Sequence, residues 1–236
     1  MSLLEQNPGS GTSGSATFGS GGDEPYARAL RHDAHGALML REAGSARGDA
    51  GPRLDMDFGK WNSDADEVDR SLLRHVSGPV LDIGCGPGRM VRAAGELGLV
   101  ALGLDVSPEV VALARRGGMA AALGSVFDRV PAEGLWRSAL LIDGNVGIGG
   151  DVAALLARCC EILAPSGALV VELHPDDDRD HSYSATLTDG EGSRSAEFPW
   201  AEVGLTRLRE VARASGFSVD RAFNAGGRRF GRLIRT

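Results

Sequence analysis

The sequence has little cysteine, no long apolar run and no excess of positive charge. Three cysteines in 236 residues, Cys85, Cys159 and Cys160, leave one unpaired, and adjacent cysteines rarely bridge. A reduced compartment therefore fits better than a disulfide scaffold. No stretch approaches the roughly 18 apolar residues of a membrane span, and the N-terminus lacks a basic segment followed by an apolar core. No membrane association and no secretory signal are expected, and the predicted location is cytoplasmic. A formal charge of −7 gives no footprint for sequence-independent binding to nucleic acid, which needs clustered Lys and Arg. The hydrophobic fraction, 42%, is that of an ordinary globular chain and is enough for a sizeable core.

Composition divides the chain. Residues 1–24 are dominated by Gly, Ser and Thr and predict a flexible tail, because so little apolar surface cannot offset ordering entropy. Tyr26, Leu30, Ala34 and Leu38 recur every four residues and predict an amphipathic helix, with His32 and His35 on its outer faces. Residues 44–52 read as a loop and 54–58 as a short alternating strand. Ser63 or Asp64 is the expected cap of a helix through Val68, Leu72, Leu73 and Val76. From there apolar strands alternate with helices, predicting a parallel sheet covered on both faces. Ser107-Pro108-Glu109 is expected to open one of these helices, with Pro in its first turn, and Asp151 to cap another. Residues 174–197 read as a long polar loop, 200–214 as a helix, and 217–219 and 228–234 as the last strands.

The organising stretch is Val80-Leu81-Asp82-Ile83-Gly84-Cys85-Gly86-Pro87-Gly88-Arg89-Met90. An apolar strand ends in an acid, three alternating glycines follow, and a helix begins. Such a turn lets a nucleotide-like ligand approach bare backbone at a helix N-terminus. A dinucleotide fingerprint, Gly-x-Gly-x-x-Gly, would need glycine at position 89, which is Arg. A second apolar strand, 99–105, again ends in an acid, Asp105.

This pattern resembles motif I and its surroundings in the class I S-adenosylmethionine-dependent methyltransferases, from about residue 64 to the C-terminus. The resemblance implies a Rossmann-like α/β fold, a seven-stranded mostly parallel sheet with helices on both faces and an N-terminal extension. Residues 25–62 would form a cap and 63–236 the methyltransferase domain. It further implies that the Gly84, Cys85, Gly86 and Gly88 backbone lines the cofactor, with Asp82 near its ammonium group. Asp105 would accept the ribose hydroxyls, while Val106, Ser125, Val126 and Phe127 flank the adenine. Asp143 and Asn145 would meet the methionine end. The cofactor implied is S-adenosyl-L-methionine and the partner a small-molecule methyl acceptor, methylated at O or N. The stretch 143–151 resembles bacterial members of unassigned substrate.

His174 and Asp143 lie just past core strands, where open α/β sheets bind ligands, and are the candidate catalytic residues. The glycines at 144, 147, 149 and 150 imply backbone packed close to cofactor or acceptor. The stretch differs from the Asn/Asp-Pro-Pro-Tyr motif of base-amine methylation, which speaks against a nucleic-acid acceptor. Asp176, Asp177, Asp178, Asp180, His174 and His181 lack calcium-loop spacing, so no metal is expected. Trp61, Trp200 and Tyr26 are candidate walls of the acceptor pocket. Two other readings share the glycine turn: a protein that binds the cofactor or S-adenosylhomocysteine without turnover, and a nicotinamide-dependent oxidoreductase.

Overall fold

Two sheets organise the chain in a computed structural model, which describes residues 17–31, 38–44, 53–56, 58–189 and 191–236. The N-terminal part holds α1 (Pro25–Arg31), β1 (Leu38–Glu42), β2 (Arg53–Met56), α2 (Phe58–Asn62) and α3 (Glu67–Leu73). The strand–helix alternation follows: β3 (Val80–Ile83), α4 (Arg89–Glu96), β4 (Ala101–Asp105), α5 (Pro108–Arg116), β5 (Ala121–Leu123) and β6 (Trp136–Leu141). Next come α6 (Val152–Ile162), β7 (Leu163–Leu173), β8 (Asp180–Thr188), β9 (Phe198–Val203), α7 (Leu205–Ala212), β10 (Phe217–Ala225) and β11 (Arg228–Arg235).

The larger sheet has seven strands in the order β10-β11-β7-β6-β3-β4-β5. Strands β3 to β7 pair in parallel, and β11 runs antiparallel to both β7 and β10. This is the expected Rossmann-like sheet. Every residue of β3 is buried, as a central strand covered on both faces requires. One core fills the face lined by α6 and α7, around Leu141, Leu155, Leu169 and Leu208. A second, around Leu72, Met90, Leu140 and Phe230, fills the other face.

Helix starts follow their capping residues. Asp151 Oδ1 accepts from the Ala154 N–H at 3.0 Å, as expected, and Ser107 Oγ from the Val110 N–H at 3.4 Å. α3 differs: its cap is Asp66, not Ser63 or Asp64. Asp66 Oδ1 accepts from the Asp69 N–H at 2.7 Å while Asp69 Oδ2 accepts from the Asp66 N–H at 3.3 Å, a capping box with Asp in place of Glu.

The second sheet, β2-β1-β8-β9, is antiparallel and corrects three expectations. Leu38 opens β1 and pairs with Met56, so the expected helix does not include it; α1 covers Pro25–Arg31, and Ala34, His32 and His35 lie outside the described residues. Residues 180–188 are a strand rather than part of a loop. Its first half exposes polar side chains, and only Ala185, Thr186 and Leu187 are buried, so composition hid it. Trp200 sits in β9, and the following helix starts only after Gly204. The cap is therefore completed by a segment far along the chain. Most of 44–52, like residues 1–16, lies outside the described residues. Residues 17–24, expected within a tail, are instead tied to 194–196: the Asp23 N–H donates to the Arg194 carbonyl at 2.9 Å and the Ala196 N–H to the Ser20 carbonyl at 3.0 Å.

Among the described residues, no helix is long and apolar enough to cross a membrane.

Candidate functional site

A cavity of about 260 Å³ lies between the carboxyl ends of β3, β4, β5 and β6 and the cap. Its floor is the glycine turn. Gly84, Gly86 and Gly88 have φ of 71°, 55° and 96°, a left-handed region that side chains strain to enter. A Cβ at Gly86 would project into otherwise open space, with the Tyr26 hydroxyl its nearest neighbour at 3.9 Å. Gly84 and Cys85 also line the cavity. Gly88 does not: it caps α4, and a Cβ there would press on Met119 at 3.1 Å. Cys85 is buried, and burial pushes its thiol far above the usual range, so it fills space rather than attacking.

Asp105 stands at the end of β4, buried. Its Oδ2 accepts from the Gly86 N–H and its Oδ1 from the Ser107 N–H, each at 3.0 Å. A carboxylate has about four acceptor positions, so two remain for a ligand. Burial raises its pKa to about 6 against the lowering effect of these hydrogen bonds. Asp82 is buried too, and burial lifts it to about 7 although Arg89 favours its ionised form. Val106, Ser125, Val126 and Phe127 form one wall.

Asp143 follows β6 with φ 57° and lines the cavity. Three cations hold it: Arg89, Lys60 at 3.3 Å and Arg228 at 3.2 Å. Its N–H donates to Glu172 Oε2 at 2.7 Å, and Arg228 joins Glu172 at 2.6 Å and Asp69 at 2.8 Å. Arg89 also pairs with Asp69, which is completely buried. The network joins α2, α3, α4, β7 and β11 beneath the cavity. Sequence reasoning missed Asp69, Lys60, Glu172 and Arg228. Arg89 carried a signal, an arginine directly after the last glycine of the turn, but was read only as a departure from another fingerprint.

Asn145 Nδ2 donates to the carbonyls of Ile83 at 2.8 Å and Gly84 at 3.0 Å, fixing the turn from the neighbouring strand end. The glycines beyond it mostly approach protein rather than ligand. A Cβ at Gly147 would run into the Ala201 carbonyl, and one at Gly150 would lie 3.0 Å from Pro199 Cβ. One at Gly149, which does line the cavity, would lie 2.7 Å from the Phe127 ring. The loop is glycine-rich chiefly because it packs against β9.

His174 is not in this cavity. It lines an adjoining one of about 250 Å³ with Lys60, Glu172 and Glu202; Trp61, Asp143 and Trp200 are shared by both. Its Nδ1 accepts from the Asp176 N–H at 3.1 Å, so the neutral ring carries its proton on Nε2 and offers a donor. The nearby acids have other engagements: Asp177 with Arg229 at 2.9 Å, Asp178 with the Thr206 hydroxyl at 2.8 Å; His181 pairs with Glu42 at 3.3 Å. Among the described residues, no group of three His, Cys, Asp or Glu is arranged to hold a metal ion.

The cap roofs the main cavity with Phe18, Tyr26, Trp61, Phe198 and Trp200. Tyr26 reaches the glycine turn, where burial, with Asp105 next, raises its phenol pKa well above the usual value.

Residues 81–134 match the model of a methyltransferase domain family. A lysine N-methyltransferase from Mus musculus, named for its action on ATP synthase, is 34% identical over 103 residues, which cover 42% of this chain. The chain spans about two fifths (41%) of the length of that curated relative. Among solved structures, a methyltransferase from Bacteroides fragilis in complex with S-adenosyl-L-homocysteine superposes with TM-score 0.73 at 16% identity, covering 94% of this chain and 98% of its own. The 1,6-didemethyltoxoflavin-N1-methyltransferase of Burkholderia thailandensis, with that compound and S-adenosylhomocysteine bound, gives 0.54 at 19% identity, covering 72% and 77%.

Proposed function

We propose that this chain, whose residues 81–134 match a methyltransferase domain model, is a class I S-adenosylmethionine-dependent methyltransferase that transfers the methyl group of S-adenosylmethionine to a small molecule held under the cap. The observation that carries the reading is Asp105. A buried carboxylate with two acceptor positions left, beside the bare backbone of Gly86, fits a ribose diol. Asp82 lies where a ligand's ammonium would relieve its burial, and Val106, Val126 and Phe127 form a wall suited to adenine. When bound, the cofactor supplies an electrophilic methyl group.

The chain's own residues hold, align and exclude water. Asn145 fixes the glycine turn, and Asp143, held by three cations, positions the reacting ends rather than taking a proton. His174, with its donor at Nε2, orients the acceptor from the adjoining cavity. A small acceptor is favoured over a protein because the cap roofs the cavity. The two relatives named above differ here, one named for a lysine in a protein and one for a small molecule.

Production of S-adenosylhomocysteine from S-adenosylmethionine in the presence of a small-molecule library tests the reading. Acceptor-dependent turnover, lost on Asp105→Ala, supports it. Tight binding of both cofactor forms with no turnover on small molecules or on lysine-bearing peptides would favour a non-catalytic binder.

A further inference from the structure

Aromatic residues are scarce in this chain and they are not scattered. The sequence holds three Trp, two Tyr and seven Phe, and among the described residues six of these line the main cavity: Phe18, Tyr26, Trp61, Phe127, Phe198 and Trp200. Phe127 belongs to the wall assigned to adenine; the other five come from the cap. Three pairs meet edge to face, Phe18 and Tyr26 at 5.3 Å and 87°, Tyr26 and Trp61 at 6.1 Å and 88°, Phe198 and Trp200 at 6.1 Å and 87°, and Phe18 is tilted against Phe198 and Trp200. A flat guest entering such a box meets a ring face on one side and ring edges on another, the two arrangements aromatic pairs prefer.

An aromatic box also suits a cation, through the negative faces of its rings. Charge at its rim decides between the two guests. The carboxylate there, Asp143, is already engaged by Lys60, Arg89 and Arg228. Glu172 is held by Arg228, and Glu202 by Arg179 at 2.6 Å and by the Tyr183 hydroxyl at 3.0 Å. A cationic guest would meet the sulfonium of the donor, while each of these three carboxylates is already matched to a cation, Asp143 in part by Lys60 from the adjoining cavity.

We propose that the methyl acceptor is a planar aromatic molecule, neutral or anionic, seated in the main cavity against the cavity-facing sides of Trp61, Tyr26 and Trp200, with Lys60, through the charge it cancels on Asp143, disfavouring amines. This rests on the cofactor reading above and names the class of molecule that shares its site. Lys60 is the only lysine in the sequence and comes from the cap, so the cap supplies both the aromatic walls and the charge filter.

The test uses the full chain saturated with S-adenosylhomocysteine and a matched set of probes measured by calorimetry. These are 2-naphthol, 2-naphthoate, 2-(aminomethyl)naphthalene, cyclohexanol and a short lysine-bearing peptide. The naphthol and naphthoate should bind at least about tenfold tighter than the amine or cyclohexanol, since each ring pair is worth roughly two- to tenfold. Lys60→Gln should narrow the gap between naphthoate and the amine, measured at saturating S-adenosylhomocysteine. Trp61→Ala should weaken naphthol about tenfold, and unchanged S-adenosylhomocysteine binding would show that variant to be folded. Equal binding of cyclohexanol, preference for the amine or the peptide, or no binding of either naphthyl probe would overturn the proposal. Failure of wild type to bind S-adenosylhomocysteine would instead overturn the cofactor reading.

Discussion

The side-chain amide of Asn145 occupies the space that a Cβ on Gly84 would need: its Nδ2 would lie 2.6 Å from that atom. The same nitrogen donates to the Gly84 carbonyl at 3.0 Å, so the glycine and the asparagine fix one another across two strand ends. Gly84→Ala should therefore push Asn145 away and strain a backbone at φ 71°, costing on the order of 2–4 kcal/mol in thermal or denaturant unfolding. Asn145→Ala in the same chain should recover the steric part and leave the backbone part. A double-mutant cycle with no coupling between the two positions would show that they do not share this space.

Removing Asp105 takes away the charged acceptor assigned to the ribose. Asp105→Ala should weaken S-adenosylhomocysteine binding by about 2–3 kcal/mol, the scale of hydrogen bonds to a charged group. Asp105→Asn, which keeps one acceptor oxygen, should lose less. Calorimetric affinities of folded variants decide; an unchanged affinity removes the ribose assignment.

Two buried carboxylates give the free protein a characteristic pH response. Burial raises Asp82 to about 7 and Asp105 to about 6, above the 3.8 of an exposed aspartate. Between that value and pH 7 the folded chain holds protons that the unfolded chain has released. The contribution of these two groups to stability therefore falls as pH rises through this window. Cofactor binding runs the other way, because the ribose and ammonium contacts need ionised carboxylates. Melting temperature measured from pH 5 to 8 should show the S-adenosylhomocysteine-induced increase growing with pH. A constant increase would separate the two aspartates from the ligand.

The ion network beneath the cavity can be tested through its most buried pair. Arg89→Met leaves Asp69, fully buried, with Arg228 as its one remaining cation and removes one of three cations from Asp143. A loss of about 3–5 kcal/mol is expected, as for breaking a buried ion pair. Asp69→Asn combined with Arg89→Met should cost less than the sum of the single changes, measured by denaturant unfolding.

The core sheet was legible because its signals are local. Val80 to Arg89 announces strand, turn and helix within ten residues, and Asp105 repeats the pattern one strand later. The helix starts at Ser107-Pro108 and Asp151 followed from residue types that sit directly before each apolar pattern. The cap was hidden because its sheet pairs β1 with β8, joining Leu40 to Leu187 across the whole Rossmann-like core. The polar face of β8 gave no alternation to read, and Trp200 fits a helix as readily as a strand until its partner Tyr183 is known. The ion network was illegible for the same reason. Arg228, Glu172 and Asp69 come from three distant elements, and only the sheet order brings them to Asp143.

The central claim is that the glycine turn and Asp105 bind the methyl donor. Calorimetric titration of the full chain with S-adenosylmethionine, S-adenosylhomocysteine and NAD in parallel tests it most directly. The expected result is saturable micromolar binding of the first two, one ligand per chain, lost on Asp105→Ala, with none for NAD. Preference for NAD, or no binding of any of the three, would contradict the account.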